Sequence, residues 1–375
     1  MWKRYLYVSN VRSSTLNMET YKLNLTSKKE LKSHIEELET LDYVVSTTNL
    51  FEDCAHVVMK FFRSWKENDL EFVRCKDGIT NKLVKCTNRS LEFSILIRIY
   101  GSGTEKFIDR EQETMASINM VTLSELGLAC PIYGRFKNGL VYGYKPGRVF
   151  SVSDMSDPYK SSLVAKELAV WHRVTIAGDR KPDLFFTIHR WIKEVPKTYT
   201  NPEVDERFRK NFNIEELNKE LSDLEQELAK VKSPVVFCHN DLLHANIIYN
   251  DAMNEVSFID YEYATFNPQA FDIGNHFNEF GGIACDYSLY PTKEFQLQFL
   301  EQYLRAYNPD ASVVTAERIN ELYREANKFA LASHFYWGTW ALLQANLSDL
   351  DFDFMGYAIL RFNEYYKKKN DFLEL

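Results

Sequence analysis

One stretch constrains the fold of this chain more than any other, the run "FCHNDLLHANIIYN" at Phe237–Asn250. His239, Asn240, Asp241 and Asn246 stand there among residues that otherwise read as the start of a strand. Burying polar groups beside an apolar run costs free energy unless something answers them. A turn at Asp251–Asn254 follows, then "EVSFIDYEYA", an apolar run that reaches Asp260 near its end. The pattern predicts a hairpin with polar groups at both ends. Whatever fold the chain adopts must find a use for that polar end.

Upstream, "DCAHVVMKFFRSW" from Asp53 to Trp65 has helical spacing, and strand-like runs follow it: "FVRC" from Phe72, "KLVKC" from Lys82 and "FSILIRIYG" from Phe93. In the last, Ile95, Ile97 and Ile99 share one face and Arg98 projects from the other. A helix from about Arg110 to Leu126 comes next, then "PIYGRFKNGLVYGYKPG", two strands about a Lys137-Asn138-Gly139 turn. Beyond Gly147 the pattern is mainly helical. "SSLVAKELAVWHRV" is an amphipathic helix, and Leu217, Leu221, Leu224, Leu228 and Val231 form an apolar stripe assigned to packing.

The expected class is α+β. Residues 1–41 are an N-terminal extension without an assigned role, in which "TSKKELKSHIEELET" reads as a charged helix capped by Ser27. Residues 42–147 form a small β-rich N-lobe, and residues 148–375 a large helical C-lobe with the polar hairpin. A cleft between the lobes is the expected place for a ligand.

Composition narrows the function. At 375 residues, with 26 Phe, 22 Tyr and 6 Trp, the chain can bury a full core. A formal net charge of -8 argues against nucleic acid as the main partner and suits a cationic small molecule. The six cysteines include no CxxC pair, so neither a disulfide framework nor a zinc site is expected, and a reducing compartment is. No apolar run of about 18 residues and no signal-like start is seen, so the expectation is a cytoplasmic protein without membrane insertion.

Asp241 and Asn246 stand five apart, and Asp260 closes the next run. Phosphoryl transfer from ATP needs a carboxylate to accept or orient the attacking hydroxyl, and oxygen ligands for Mg²⁺ on the phosphates. Asp241 suits the first role, Asn246 and Asp260 the second. The D-x-x-x-x-N spacing equals that of the protein-kinase catalytic loop, with Asp260 in place of its metal-binding Asp. A cation on the nucleotide phosphates is also required. Arg98 is the candidate, paired with Glu113 or Glu111. "KDGITNK", holding Gly78, Thr80 and Asn81, is the candidate phosphate-covering loop. Each piece alone is ordinary; together and in order they satisfy the multi-part test of an active site.

With those residues in place, "FCHNDLLHANIIYN", "VSFIDYEYA" and "FDIGNHFNEF" resemble the choline/ethanolamine kinase family. "HFNEFGG" followed by "DYSLYP" is most similar to its ethanolamine kinase branch. The resemblance runs from roughly Phe61 to Lys369 and includes "LIRIYG", "FIDREQE", "LASHFYWGTWALLQA" and "DFDFMGYAILRFNEYYKK" in family order. It implies a two-lobed protein-kinase-like fold of the aminoglycoside phosphotransferase/choline kinase type, with ATP and Mg²⁺ as cofactors. It further implies that Asp241 is the catalytic base, Asn246 and Asp260 metal ligands, and Arg98 a phosphate contact. The implied reaction is phosphorylation of ethanolamine, the first step of the CDP-ethanolamine route to phosphatidylethanolamine. Two departures stand out: Glu113 to Pro131 is about one helical turn longer than the family pattern, and the first forty or so residues match none of it.

A cationic amino alcohol needs aromatic faces and carboxylates. Trp337 and Trp340 lie three apart on one helix face; Tyr357, Tyr263 and Glu262 are the expected neighbours, and Glu279 the expected carboxylate for the ammonium. A primary ammonium demands acceptors for three N–H donors, whereas a trimethylammonium has none to satisfy. The glycines after Glu279 remove bulk where choline kinases tend to place an aromatic, which favours ethanolamine. Choline or dual use is the alternative. A kinase-like binding module and a phosphotransferase for aminoglycosides or sugars are the competing classes, and a homodimer is left open. Asp272, His276 and His239 are expected to support the loop through hydrogen bonds.

Overall fold

The computed structural model describes residues 38–75, 81–100, 119–175, 180–308, 310–348 and 350–375. The chain divides into two compact units, Met1–Pro146 with Thr175–Gly178, and Gly147–Val174 with Asp179–Leu375.

The first unit is built on strands β1 (Thr40–Leu41), β2 (Leu70–Arg74), β3 (Asn81–Asn88), β4 (Phe93–Tyr100), β5 (Ile132–Phe136) and β6 (Gly139–Gly143), ordered β1-β5-β6-β4-β3-β2. The alternation read from β4 holds: Ile95, Ile97 and Ile99 are buried and Arg98 is half-buried on the opposite face. Helix α1 (Leu50–Phe61) covers the apolar face with Cys54, Val57, Val58 and Phe61. It stops before the expected Trp65, where the chain turns and Trp65 stacks on Phe62. The β5–β6 turn is pinned by Asn138, which donates to the Val45 carbonyl and accepts from its amide. Residues 119–125 are helical; the earlier part of that expected helix, Glu111, Glu113 and the segment with Gly78 and Thr80 lie outside the described residues.

The second unit carries the hairpin. Strands β7 (Arg148–Val149), β9 (Ile247–Asn250) and β10 (Glu255–Phe258) form a sheet ordered β10-β9-β7, and β8 (Val235–Cys238) pairs with β11 (Thr265–Pro268). The hairpin aligns Ile247 with Phe258 and Asn250 with Glu255, which buries Ile247, Val256 and Phe258. Strand β11 was not foreseen. It is four residues long and contains a buried Asn267, whose Oδ1 accepts the Asp183 and Leu184 amides, so neither alternation nor apolarity marks it.

Helices fill the rest: α2 (Val152–Met155), α3 (Pro158–His172), α4 (Leu184–Glu194), α5 (Pro202–Asn211), α6 (Ile214–Leu228), α7 (Gln269–Asn278), α8 (Lys293–Tyr307), α9 (Ala316–Leu347) and α10 (Phe354–Leu373). α3 begins earlier than the periodicity alone indicates because Asp157 caps it and Pro158 takes its first position. The stripe Leu217, Leu221, Leu224 and Leu228 of α6 is buried in the core with α4 and α9, each side chain contributing about 1.5–3 kcal/mol. Gly274 on α7 has a steric reason: an added Cβ would come within 2.3 Å of the Ala326 carbonyl oxygen on α9. That close approach brings the next residue, Asn275, against α9. Among the described residues no helix is long and apolar enough to cross a membrane.

Candidate active site

The loop after β8 is held from beneath by Asp272, the fourth residue of α7. Its Oδ2 accepts the His239 amide at 2.8 Å and its Oδ1 the Asn240 amide at 2.7 Å. His172, on α3, meets the same carboxylate at 2.9 Å through Nε2, and its Nδ1 lies 2.6 Å from the Tyr303 hydroxyl. A carboxylate only accepts, so His172 carries a proton on Nε2 toward Asp272, and Gln269 also donates to the Tyr303 hydroxyl. Burial works to raise the Asp272 pKa, yet the His172 bond and the loop amides hold it below the ordinary value. The supporting role expected of Asp272 therefore has its geometry. So do those of His276, whose Nδ1 bonds the Leu242 carbonyl, and of His239, which donates to the Ile259 carbonyl and accepts the Asp241 amide.

Those bonds impose a backbone that is costly without them. Asn240 has φ 65° and Asp260 φ 62°, a region that costs about 1–2 kcal/mol for a residue with a side chain. Such strain is concentrated where geometry serves chemistry.

Asp241 is half-buried and sits between its partners. Asn246 donates its Nδ2 to both the Asp241 carbonyl, at 2.8 Å, and the Asp241 carboxylate, at 2.9 Å. The Asn246 amide nitrogen is thereby committed, which leaves Oδ1 as its ligand atom. The Ile259 amide bonds the Asn246 carbonyl at 3.0 Å, so the hairpin sets Asp260 beside Asn246. Burial pushes the Asp241 pKa well above the carboxylate range, and the nearby charges of Glu279, Asp260 and Glu262 push it further. A cluster of hard oxygen donors with crowded negative charge fits a magnesium-sized cation, and by the same chemistry an ammonium.

The aromatic residues singled out in the sequence lie in this same unit. Trp337 meets Trp340 edge to face with centroids 5.5 Å apart, and Tyr263 at 5.1 Å. Tyr263 takes a hydrogen bond from Trp340. Tyr263, Tyr336 and Tyr357 are all close enough to Asp241 for its charge to help raise their pKa values, although burial is the larger cause for each. Glu279 has a partner the sequence did not reveal. Arg361, 1% exposed, donates through Nη1 to Glu279 Oε1 at 2.9 Å and to the Tyr357 hydroxyl at 3.2 Å. The glycines after Glu279 also serve the backbone: Gly282 has φ 58°, and a Cβ on Gly281 would lie 3.2 Å from the Asp286 carbonyl oxygen.

Sequence reasoning missed Arg361, His172 and Asn275, because isolated polar residues in helical runs carry no spacing signal. Asn275 had one available clue, its place beside Gly274. In the first unit, Arg98 lies on β4, where its neighbours in register are Leu83 and Leu140. Of the expected phosphate-covering loop, Lys76–Lys82, only Asn81 and Lys82, the first two residues of β3, are described.

His239, His276 and His334 are kept neutral by burial, which lowers each pKa, that of His276 to about 4. A histidine with a lowered folded pKa contributes fully above its unfolded value near 6.5 and loses that contribution as pH falls toward the folded value. Stability should therefore decline from pH ~6.5 downward, by up to about 1.4 kcal/mol per pH unit for each histidine. Denaturant midpoints at descending pH measure this. A midpoint unchanged into the acid range would contradict neutral burial.

A sequence model of the choline/ethanolamine kinase family matches residues 72–366. The chain is 40% identical over 328 residues to probable ethanolamine kinase A of Dictyostelium discoideum, covering 86% of this chain and 92% of that one. It is 42% identical over 328 residues to human ethanolamine kinase 2, covering 87% and 83%. Among solved structures, an ethanolamine kinase of Plasmodium vivax superposes with TM-score 0.74 at 30% identity, over 92% of this chain and 95% of that one. A loop tied down by Asp272, the Asp241–Asn246–Asp260 constellation and a match that runs through both units lead to one assignment: the chain belongs to the choline/ethanolamine kinase family.

Proposed function

We propose that this protein transfers the γ-phosphoryl group of ATP to the hydroxyl of ethanolamine, giving phosphoethanolamine and ADP, the first step of the CDP-ethanolamine route to phosphatidylethanolamine. The observation that carries the reading is the position of Asp241, bonded by Asn246, flanked by Asp260 and grouped with Glu262, Glu279 and the aromatic residues. Asp241 accepts the hydroxyl proton as the ethanolamine oxygen bonds to phosphorus and the bond to the ADP oxygen breaks. Asn246 Oδ1 and the Asp260 carboxylate are the groups that would hold Mg²⁺, whose charge offsets that on the phosphates. Arg98 is assigned to the nucleotide phosphates, with Gly78, Thr80 and Asn81 covering them and Glu113 or Glu111 as the partner of Arg98.

Trp337, Trp340, Tyr263 and Tyr357 line the acceptor side in this reading. The ammonium needs acceptors as well as faces, and the carboxylates near Asp241 and the tyrosine hydroxyls supply them. Because Arg361 already neutralises one oxygen of Glu279, Glu262 shares the work of offsetting the substrate charge. The named activities of the relatives support ethanolamine over choline.

An assay of ADP release with Mg²⁺-ATP and ethanolamine, choline or no acceptor tests this. A kcat/KM much higher on ethanolamine is expected; comparable rates on choline would reject the preference, and no acceptor-dependent release would reject the activity. Trp340→Ala should raise the ethanolamine KM about tenfold, the worth of one desolvated cation–π contact, with the ATP KM little changed. An equal rise in both would remove Trp340 from the pocket.

A further inference from the structure

Asn275 is 0% exposed, and every polar atom of its side chain is engaged. Its Oδ1 accepts the Trp337 indole N–H at 2.8 Å and the Ser333 hydroxyl at 2.8 Å. Its Nδ2 donates to the Asn240 carbonyl at 3.1 Å. One amide therefore reaches an aromatic of the acceptor side and the backbone immediately before Asp241. The Ser333 hydroxyl also accepts Arg361 Nη2 at 2.8 Å, so the Arg361–Glu279–Tyr357 group joins the same network. The donors and acceptors cannot be interchanged. Asn240 O and Trp337 N–H each need the opposite kind of partner, and only a side chain with both kinds of group answers them.

Resting on the ethanolamine kinase reading, we propose that Asn275 is a positioning residue that fixes the acceptor pocket relative to the catalytic loop. It holds the Trp337 ring and the Asn240–Asp241 peptide in one register, so the hydroxyl of a seated acceptor meets the Asp241 carboxylate. Asn240 is bound through all four of its polar groups in this arrangement, its Oδ1 accepting Asn267 Nδ2 at 3.1 Å. Asp272 takes its amide, Asn275 its carbonyl, and the Tyr263 carbonyl its side-chain Nδ2. Loss of the carbonyl contact leaves the Asn240–Asp241 peptide plane with the longer 3.3 Å bond from the Asp241 amide to His239, so the plane can turn about the Asn240 Cα–C bond while the Asn240 amide stays anchored at its positive φ.

Asn275→Asp is the discriminating variant. It conserves shape and keeps an acceptor for Trp337 and Ser333, but replaces the donor to Asn240 O with an oxygen. Per folded molecule, kcat on ethanolamine should fall about tenfold or more while the ATP KM stays within about twofold, as small misplacements of reacting groups do. Backbone amide exchange in peptides covering 236–247 should accelerate without a matching change in α6. Trp337→Phe, which retains an aromatic ring and loses the N–H, keeps the question open if the first variant does not fold. It should lower kcat and loosen the same peptides in addition to raising the ethanolamine KM. A kcat per folded molecule within twofold of wild type, or a Trp337→Phe effect confined to the acceptor KM with exchange unchanged, overturns the proposal. If the wild-type protein releases no ADP in response to ethanolamine, the functional reading fails. The exchange measurement then decides the coupling: faster exchange in 236–247 upholds it, and unchanged exchange overturns it.

Discussion

Asp241→Asn should lower kcat by about 10²–10⁴-fold, the range typical for loss of a general base, while leaving the protein folded. The second half of that expectation follows from the geometry. Asn246 Nδ2 bonds the Asp241 carbonyl as well as its carboxylate, and an asparagine oxygen can take the place of the carboxylate oxygen in the second bond. The loop amides are anchored on Asp272 and are not touched by the change. Removing the charge also relieves the repulsion that Glu279, Asp260 and Glu262 impose on it, so the unfolding midpoint should stay level or rise. Lower activity with equal or higher stability is the signature of a residue kept for chemistry at the expense of the fold. Steady-state kinetics beside a denaturant titration measure both. Near-normal turnover would remove Asp241 from the base role, and a large loss of stability would make it a structural residue.

The hairpin was legible because two separate patterns agreed on it, an apolar alternation at Ile247–Tyr249 and Val256–Phe258 and a cluster of polar residues at the adjoining ends. The same holds for β4, where Ile95, Ile97 and Ile99 share a face, and for the leucine stripe of α6. Each of these is a repeated signal along a single element. What stayed hidden depends on single residues brought together from distant elements. His172 and Tyr303 are 131 positions apart and meet only because α3 and α8 both pack near the base of the catalytic loop. Arg361 looks like an ordinary residue of a charged helix, yet it is buried against Glu279, 82 positions earlier. β11 escaped because its stabilising feature is a buried asparagine that serves another element's start. Chemistry that relies on spacing along the chain can be read from the chain; chemistry that relies on packing cannot.

Asp272→Asn should fail differently from Asp241→Asn, and the difference tests the division of labour between them. Asp272 faces three donors, the His239 amide, the Asn240 amide and His172 Nε2. A carboxylate can accept from all three, whereas an asparagine must turn an NH₂ group toward at least one of them. Hydrogen bonds to a charged group contribute about 1.5–3 kcal/mol, and a buried donor left unmatched costs about 1–3 kcal/mol. The variant should therefore lose about 2–4 kcal/mol of stability. Turnover should fall as well, by about a hundredfold, because the amides that hold Asn240 at its positive φ lose their anchor and Asp241 moves with them. The ATP and ethanolamine KM values should change much less than kcat, since Asp272 is fully buried and, among the described residues, bonds only the loop amides and His172. Stability and kcat falling together would place Asp272 beneath the loop as its support. An unchanged midpoint with kcat alone reduced would instead require that Asp272 act on the reacting groups themselves, and the hydrogen-bond network that fixes its orientation would need another explanation.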